Sequence, residues 1–188
     1  MKQQTILSIT GSDGTGGAGI QADVRTISAM GGVAVSAITC LTVQHPNKGL
    51  EMHDVPTELI ISQVEAIVKA SRPRAVKVGL IRSAEAIRAL RNEIVGCRHI
   101  VCDPGMLSVR GTRLMDYFAI DAFRRYLLPE TTLLILQCSE VELLLGTTIQ
   151  SDEDMLQAAR QLVEAGAKWV MLRSGRLSEG RLTALLYG

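Results

Sequence analysis

Residues 6–23 read ILSITGSDGTGGAGIQAD, and the parsing of this stretch decides the fold. Ile6 to Ile9 is an apolar, β-like run. It breaks into a glycine-rich turn carrying Gly11, Gly14, Gly16, Gly17 and Gly19. A helical pattern follows, with Ile20, Val24, Ile27 and Met30 spaced for one buried face. Strand, glycine loop and helix in that order bring backbone N–H groups up to a ligand. Glycine tolerates positive φ and has no Cβ to hold a ligand off. The helix start adds unpaired N–H donors and a partial positive charge. Gly14, Gly16 and Gly19 also spell the G-x-G-x-x-G dinucleotide fingerprint. That reading wants an acidic residue about 20 positions further on, and none lies between Asp23 and Glu51. The phosphate-loop pattern G-x-x-x-x-G-K-[ST] is absent. A plain tight turn is the other alternative. The glycines in company with Asp13, Thr15 and Asp23 favour a small-molecule site over it.

With 188 residues the chain is large enough for one domain, spanning 1–188, with a real core. Hydrophobic residues make up 47% and charged residues 21%, the balance of a globular protein. A net charge of +1 favours neither nucleic acid nor an anionic membrane, and 3% aromatics leave little for base stacking. The opening MKQQTILSITGSD meets polar residues and glycine too soon for a signal peptide or a membrane span. Cys40, Cys97, Cys102 and Cys138 form no CxxC pair and sit in or beside apolar segments. They read as buried, reduced thiols of a cytoplasmic protein rather than as a zinc site.

Further along, Val33 to Thr42 reads as a second strand, and Gln44 to Gly49 as a polar loop at its end. Pro56 and Thr57 open a helix whose stripe is Leu59, Ile60, Val64, Ile67 and Val68. Ala75 to Leu80 is a short strand. Ser83 caps a helix with Ala84, Ile87, Leu90 and Ile94 on one face. His99 to Asp103 is a strand that ends in the loop DPGMLSVRG. Tyr117 to Leu128 reads as a helix stopped by Pro129, and Thr132 to Leu136 as a strand. Ser139 caps a short helix ending at Gly146. Ser151 and Asp154 resemble a capping box for a helix that Gly166 closes. Trp169 to Leu172 and Thr183 to Tyr187 are the last strands. Strands alternating with helices imply an α/β protein with a mostly parallel sheet and helices on both faces.

In such sheets ligands sit at the carboxyl ends of the strands. Asp13, Asp23, Gln44, Asp103 and Glu140 are the polar residues there. Asp23 either serves a ligand or complements the helix dipole. Gln44 offers a donor and an acceptor, as a heterocycle edge requires. Asp103 and Glu140 either hold a hydrated Mg²⁺ beside phosphates or are a turn aspartate before proline and an ordinary first-turn glutamate.

Taken together, GSDGTGGAGIQAD at 11–23, Gln44 after a β run, AVKVGL at 75–80 and the DP loop at 103 form an ordered set. This set resembles the hydroxymethylpyrimidine/phosphomethylpyrimidine kinases of thiamin synthesis, in the ribokinase-like superfamily. The resemblance covers nearly the whole chain. Pyridoxal-type kinases are related, so vitamin B6 substrates stay open. It implies a three-layer αβα fold, often dimeric, and so a homodimer. It implies transfer of the ATP γ-phosphate to a hydroxymethyl group and then to the resulting monophosphate, with Mg²⁺ present. Carried over residue by residue, Asp23 and Gln44 match the pyrimidine-binding positions. Gly11 matches the glycine of the pyrimidine pocket, and Leu80 stands where the family usually has methionine against the ring. Asp103 and Glu140 match the acidic residues on the magnesium side, and Arg173, which keeps the charge of the family's lysine with a different geometry, is either a nucleotide-phosphate contact or a solvated strand-end arginine.

The departures gather on the nucleotide side. The family's DPVM is DPGM here, with Gly105, and the loop that follows has Val109 and Arg110 where small polar residues are usual. The asparagine of the family's T-P-N-x-x-E is Gln137, with Glu140 kept, and K-G-G-H reads Arg173-Ser174-Gly175-Arg176. The family's G-T-G-C anion hole, its catalytic base and part of its adenine pocket have no counterpart up to Gly188, so no catalytic residue is assigned. The expectation is a ribokinase-like kinase domain lacking the usual C-terminal portion. A degenerate pyrimidine- or pyridoxal-binding module, or a truncated homologue completed by a partner, is the alternative.

Overall fold

The computed structural model describes residues 3–45, 49–108, 110–174 and 183–188. One sheet carries β1 (Thr5–Asp13), β2 (Val33–His45), β3 (Gly49–Asp54), β4 (Ala75–Val78), β5 (Ile100–Cys102), β6 (Leu133–Gln137), β7 (Trp169–Arg173) and β8 (Ala184–Tyr187). Their order across it is β3-β2-β1-β4-β5-β6-β7-β8. The strands from β2 to β7 pair in parallel, and β3 and β8 close the two edges antiparallel. Helices α1 (Gly19–Ala29), α2 (Thr57–Ser71), α3 (Ala84–Ile94), α4 (Tyr117–Ala122), α5 (Cys138–Leu145) and α6 (Asp152–Glu164) fill the connections.

Side-chain alternation along the strands shows how the layers divide. Leu7 and Ile9 of β1 pair in register with Val76 and Val78 of β4, and these with Ile100 and Cys102 of β5. Leu134 and Leu136 of β6 and Val170 and Leu172 of β7 continue the row. Every member is buried, in one cluster with residues of α2, α3, α4, α5 and α6. Burial of each such side chain contributes about 1.5–3 kcal/mol before entropy is counted. The opposite face carries Ser8, Lys77, Val101, Ile135 and Met171, all but Ser8 only half-buried. There α1 packs on β1 and β2. The three layers are therefore unequal. A right-handed crossover that steps one way across the sheet puts its helix on one face, and one that steps the other way uses the opposite face. Among the crossovers between parallel strands, only β1-to-β2 runs against the others.

Several boundaries differ from those expected. β1 continues past Ile9 to Asp13, so Gly11 lies in the strand, at the shift of pairing between Thr10 and Ser12. Residues 44–49 are not a simple loop: β2 runs to His45 and turns back as β3, with Gln44 opposite Leu50. Gly49 is part of β3, while 46–48 lie outside the described residues. The alternation of Leu50, Met52 and Asp54 is too polar on its outer face to announce a strand. Met30 is the C-cap of α1 and 84% exposed, so it ends the helix instead of extending its buried stripe. Leu59 also faces outward, 53% exposed. The segment expected as one helix from Tyr117 narrows and widens: α4 gives way to a π turn at Phe123–Leu127 and a 3₁₀ turn at Leu128–Glu130. That widening lets Phe123, Leu127 and Leu128 all reach the core. Cys40 and Cys102 are buried as expected, whereas Cys97 and Cys138 are only half-buried.

The caps largely follow the sequence. Ser83 Oγ accepts the Ala86 N–H at the start of α3. Ser151 and Asp154 cap α6 reciprocally. The N–H of Gln150 and the hydroxyl and N–H of Ser151 hold the Asp154 carboxyl below the usual carboxylate range. The folded value is lowered, so this contribution is complete above about pH 4 and is lost as pH falls through the folded value. Melting temperature followed against pH should show that acid limb in the native chain and lose it in Asp154→Asn.

Candidate active site

The glycine loop is built around one carboxylate. Asp13 Oδ1 accepts the Thr15 N–H at 3.0 Å and Oδ2 accepts the Ala18 N–H at 2.9 Å. The Thr15 hydroxyl also bonds it, and the Gln21 side chain accepts the Asp13 N–H at 2.8 Å. A buried aspartate is thus spent on folding 13–19 back onto the strand. Gly19 has φ +59°, and a Cβ there would stand 2.3 Å from the Gly11 carbonyl oxygen. Gly11 itself faces Cys40, whose sulfur would lie 2.7 Å from an added Cβ. These two glycines let α1 begin directly against the end of β1.

Asp23 does not project past the strand ends. Its carboxylate accepts from Lys77 Nζ at 2.8 and 3.0 Å and from the Ser8 hydroxyl at 2.5 Å. Ser8 and Lys77 are register partners on β1 and β4. The pair is 18% and 25% exposed, so α1 is pinned to the sheet by a mostly desolvated ion pair. Lys77 is the residue that sequence reasoning passed over. Its signal is a lysine inside a four-residue strand, AVKV, at the centre of a parallel sheet, where near-continuous apolar residues are the rule.

Leu80 follows β4 and is locked by its backbone. Its N–H bonds the Thr10 hydroxyl at 3.0 Å, and its carbonyl accepts the Thr39 hydroxyl at 2.6 Å. A Cβ at Gly79 would stand 2.2 Å from Thr10 Oγ1, so only glycine allows this crossing. Gln44 reaches the same end of the sheet on β2. Its side chain lies outside the described part of the structure.

On the other half, Asp103 and Glu140 follow the ends of β5 and β6, and Arg173 is the last residue of β7. Arg173 Nη2 lies 3.7 Å from Asp103 Oδ1, with both side chains part-exposed. Glu140 is engaged differently. Its Oε2 accepts the Gln137 N–H at 2.9 Å, so Gln137, not Ser139, caps α5. Its Oε1 accepts the Met106 N–H at 2.7 Å and, more weakly, the Leu107 N–H at 3.5 Å. Burial raises its pKa despite these bonds. Glu140 therefore joins α5 to the 103–107 loop. Gly105, at φ +57°, makes the turn that aims both N–H groups at it. Val109, Gly175 and Arg176 lie outside the described residues.

The strand order sorts these positions. Gly11 and Gln44 lie on β1 and β2, Leu80 just past β4, Asp103 just past β5, Glu140 in the first turn of α5 after β6, and Arg173 at the end of β7, all at the carboxyl edge. A family model, that of phosphomethylpyrimidine kinase, matches residues 13–187. The chain belongs to the phosphomethylpyrimidine kinase family. It is 37% identical over 190 residues to the hydroxymethylpyrimidine/phosphomethylpyrimidine kinase of Mycobacterium leprae, covering 97% of this chain and 67% of that protein. It is 34% identical to the thiamine biosynthesis bifunctional protein ThiED of Geobacter sulfurreducens, of whose length it spans 38%. Among solved structures, the phosphomethylpyrimidine kinase of Clostridium difficile superimposes with a TM-score of 0.90 at 33% identity, covering 99% of this chain and 81% of that one. Pyridoxal kinase from Staphylococcus aureus in complex with AMP-PCP gives 0.89 at 26% identity, covering 98% and 68%. The phosphomethylpyrimidine kinase relatives fix the fold as ribokinase-like. No described helix is long and apolar enough to cross a membrane.

Whether these residues suit a triphosphate is tested by one atom. Arg173 Nε is buried and has no hydrogen-bond partner among the described residues. An orphaned buried donor of this kind is rare and marks a place for an acceptor. A guanidinium with a free N–H beside a carboxylate fits a phosphate oxygen and its counter-cation. No group of three or more His, Cys, Asp or Glu side chains converges to hold a metal among the described residues. Asp103 is the carboxylate left to do so.

Proposed function

We propose that this chain transfers the γ-phosphoryl group of ATP to the hydroxymethyl group of 4-amino-5-hydroxymethyl-2-methylpyrimidine, and then to the resulting monophosphate. The observation that carries the reading is the buried Arg173 Nε, unpartnered among the described residues, beside Asp103 and at the same sheet edge as Gly11 and Leu80. Gly11, Gln44 and Leu80 form the pyrimidine side, Gln44 pairing with the ring edge. Asp23 supports that side from beneath through its bond to Ser8. Arg173 binds a phosphate oxygen, Asp103 holds Mg²⁺, and Glu140 fixes the loop that carries Asp103. Bound Mg²⁺ supplies charge neutralisation across the phosphate oxygens. The remaining work is positioning, which is most of catalysis in phosphoryl transfer. No residue of this chain is assigned as the base. We read the protein as a cytoplasmic homodimer, a reading supported by four cysteines that form no disulfide among the described residues and by the part-exposed Leu41, Val43 and Leu50 on the outer hairpin.

A coupled ATP-to-ADP assay with hydroxymethylpyrimidine, its monophosphate and pyridoxal, each in excess with Mg²⁺, tests this. Turnover should favour the pyrimidines and fall roughly a hundredfold in Asp103→Ala, as for loss of one group stabilising transition-state charge. Gln44→Ala should weaken pyrimidine binding by about tenfold, the worth of one or two hydrogen bonds. Absence of turnover with all three substrates would remove the proposal, even if pyrimidine binding survived.

A further inference from the structure

At the opposite end of the sheet, beneath the amino ends of β4 and β5, lies a cleft of about 500 Å³. Three arginines line it: Arg72 at the end of α2, Arg74 just before β4, and Arg98 between α3 and β5. Glu93 is the one carboxylate in its wall, and Val68 and Cys97 form part of its apolar lining. The cleft thus gathers three positive charges against one negative, in a chain whose net charge is +1.

These arginines are idle among the described residues. Elsewhere, several arginine side chains are engaged, Arg82 with Asp54, Arg91 with Glu130, Arg125 with Asp121 and Arg113 over Tyr117, while Arg110 and Arg160 stand singly on the surface. The guanidinium groups of Arg72, Arg74 and Arg98 make no hydrogen bond or ion pair among the described residues. Glu93 in the same wall is equally unpaired. Arginines near helix ends commonly bond the last carbonyls, and none of these does so. Arg72 is odder still. It is the one non-glycine residue at positive φ among those described, with φ 44° and ψ 66°. Glycine or asparagine usually takes that C-terminal position. An arginine held there at conformational cost leaves an exposed, unused side chain in the wall of the cleft.

We propose that this cleft binds a small, multiply charged phosphate anion, at a site separate from the kinase edge. The concave shape suits a compact anion and not an extended polyanion, because no aromatic side chain lines it for stacking. Three guanidinium groups around one concavity focus positive potential and offer planar forks matched to phosphate oxygens.

Isothermal titration of the intact chain with inorganic pyrophosphate, without Mg²⁺ and at low ionic strength, is the test. Binding should weaken roughly tenfold or more in Arg74→Ser/Arg98→Ser as charged hydrogen bonds are removed, and be partly restored by Arg74→Lys/Arg98→Lys. Arg173→Ala should leave it unchanged, which separates the cleft from the proposed nucleotide position. Arg72→Gly is the second variant. It should melt no lower than the native chain, since glycine is relaxed at that φ, yet bind more weakly. No heat at millimolar pyrophosphate would overturn the proposal. So would loss of binding in Arg173→Ala, or full binding in both cleft variants.

Discussion

Glu140→Ala is expected to destabilise the chain by roughly 4 kcal/mol, because each buried donor left without a partner costs about 1–3 kcal/mol. The donors concerned are the N–H groups of Gln137, Met106 and, at longer range, Leu107. For a domain of this size that corresponds to a fall in melting temperature of about 10 °C. Glu140→Gln keeps one carbonyl oxygen and so should lose about half as much. The same pair of variants carries a pH signature. Burial raises the folded pKa of Glu140 above its ordinary value. A raised folded value means the native state holds the proton longer, so its contribution is complete below about pH 4.3 and declines as pH rises through the folded value. Urea unfolding measured across mildly acid pH should show that decline in the native chain and not in Glu140→Gln. It runs opposite in sign to the Asp154 limb and lies above it. A flat profile in both proteins would show that Glu140 is not held as described. Activity should fall with stability, since the loop freed by Glu140→Ala carries Asp103.

Lys77→Met should cost about 3 kcal/mol, near the low end for stripping one partner from a desolvated ion pair. The loss leaves Asp23 in a mostly buried position with only the Ser8 hydroxyl. Removing both charges should be gentler. Lys77→Met/Asp23→Leu leaves no uncompensated carboxylate, so the double variant should recover much of the loss. The double-mutant cycle separates the pair's coupling from the cost of desolvation. If the double variant is as unstable as the sum of the two single ones, the ion pair contributes nothing specific. The cycle also bears on binding. If Asp23 supports the pyrimidine pocket, pyrimidine affinity should drop in both single variants by more than their melting temperatures suggest, with Lys77→Arg restoring part of it.

The elements that were legible in the sequence were those with a periodic apolar pattern and a capping residue. Ser83, Ser151 and Gly146 mark helix ends that the structure keeps, and the glycine run after Ile9 announces the turn into α1. What escaped had a local pattern overridden by tertiary contacts. β3 is short and polar on one face, and it exists because β2 overruns its partner β1 and folds back along its own edge. The π turn at Phe123–Leu127 reflects the demand to bury Phe123 and Leu128 together, which no propensity encodes. The positions at the strand ends were readable because an α/β sheet sets its loops there. The use each carboxylate is put to was not. Asp13, Asp23 and Glu140 look alike on paper. One folds a loop, one pairs with a lysine, and one receives backbone N–H groups. That distinction depends on partners far apart in sequence.

The strand order also governs how the molecule can be assembled from its N-terminus. β1 is an interior strand with β2 on one side and β4 on the other. Until residues 75–78 have been synthesised, a nascent chain exposes one complete edge of β1, the condition that invites mispairing with other chains. After that point every strand from β5 to β8 joins the outermost neighbour already in place, in chain order. The sheet then grows in one direction only, each new strand covering the edge left by the last. A ribosome-bound segment ending before Ala75 should therefore be the aggregation-prone species, and one ending after Val78 already holds the centre of the sheet.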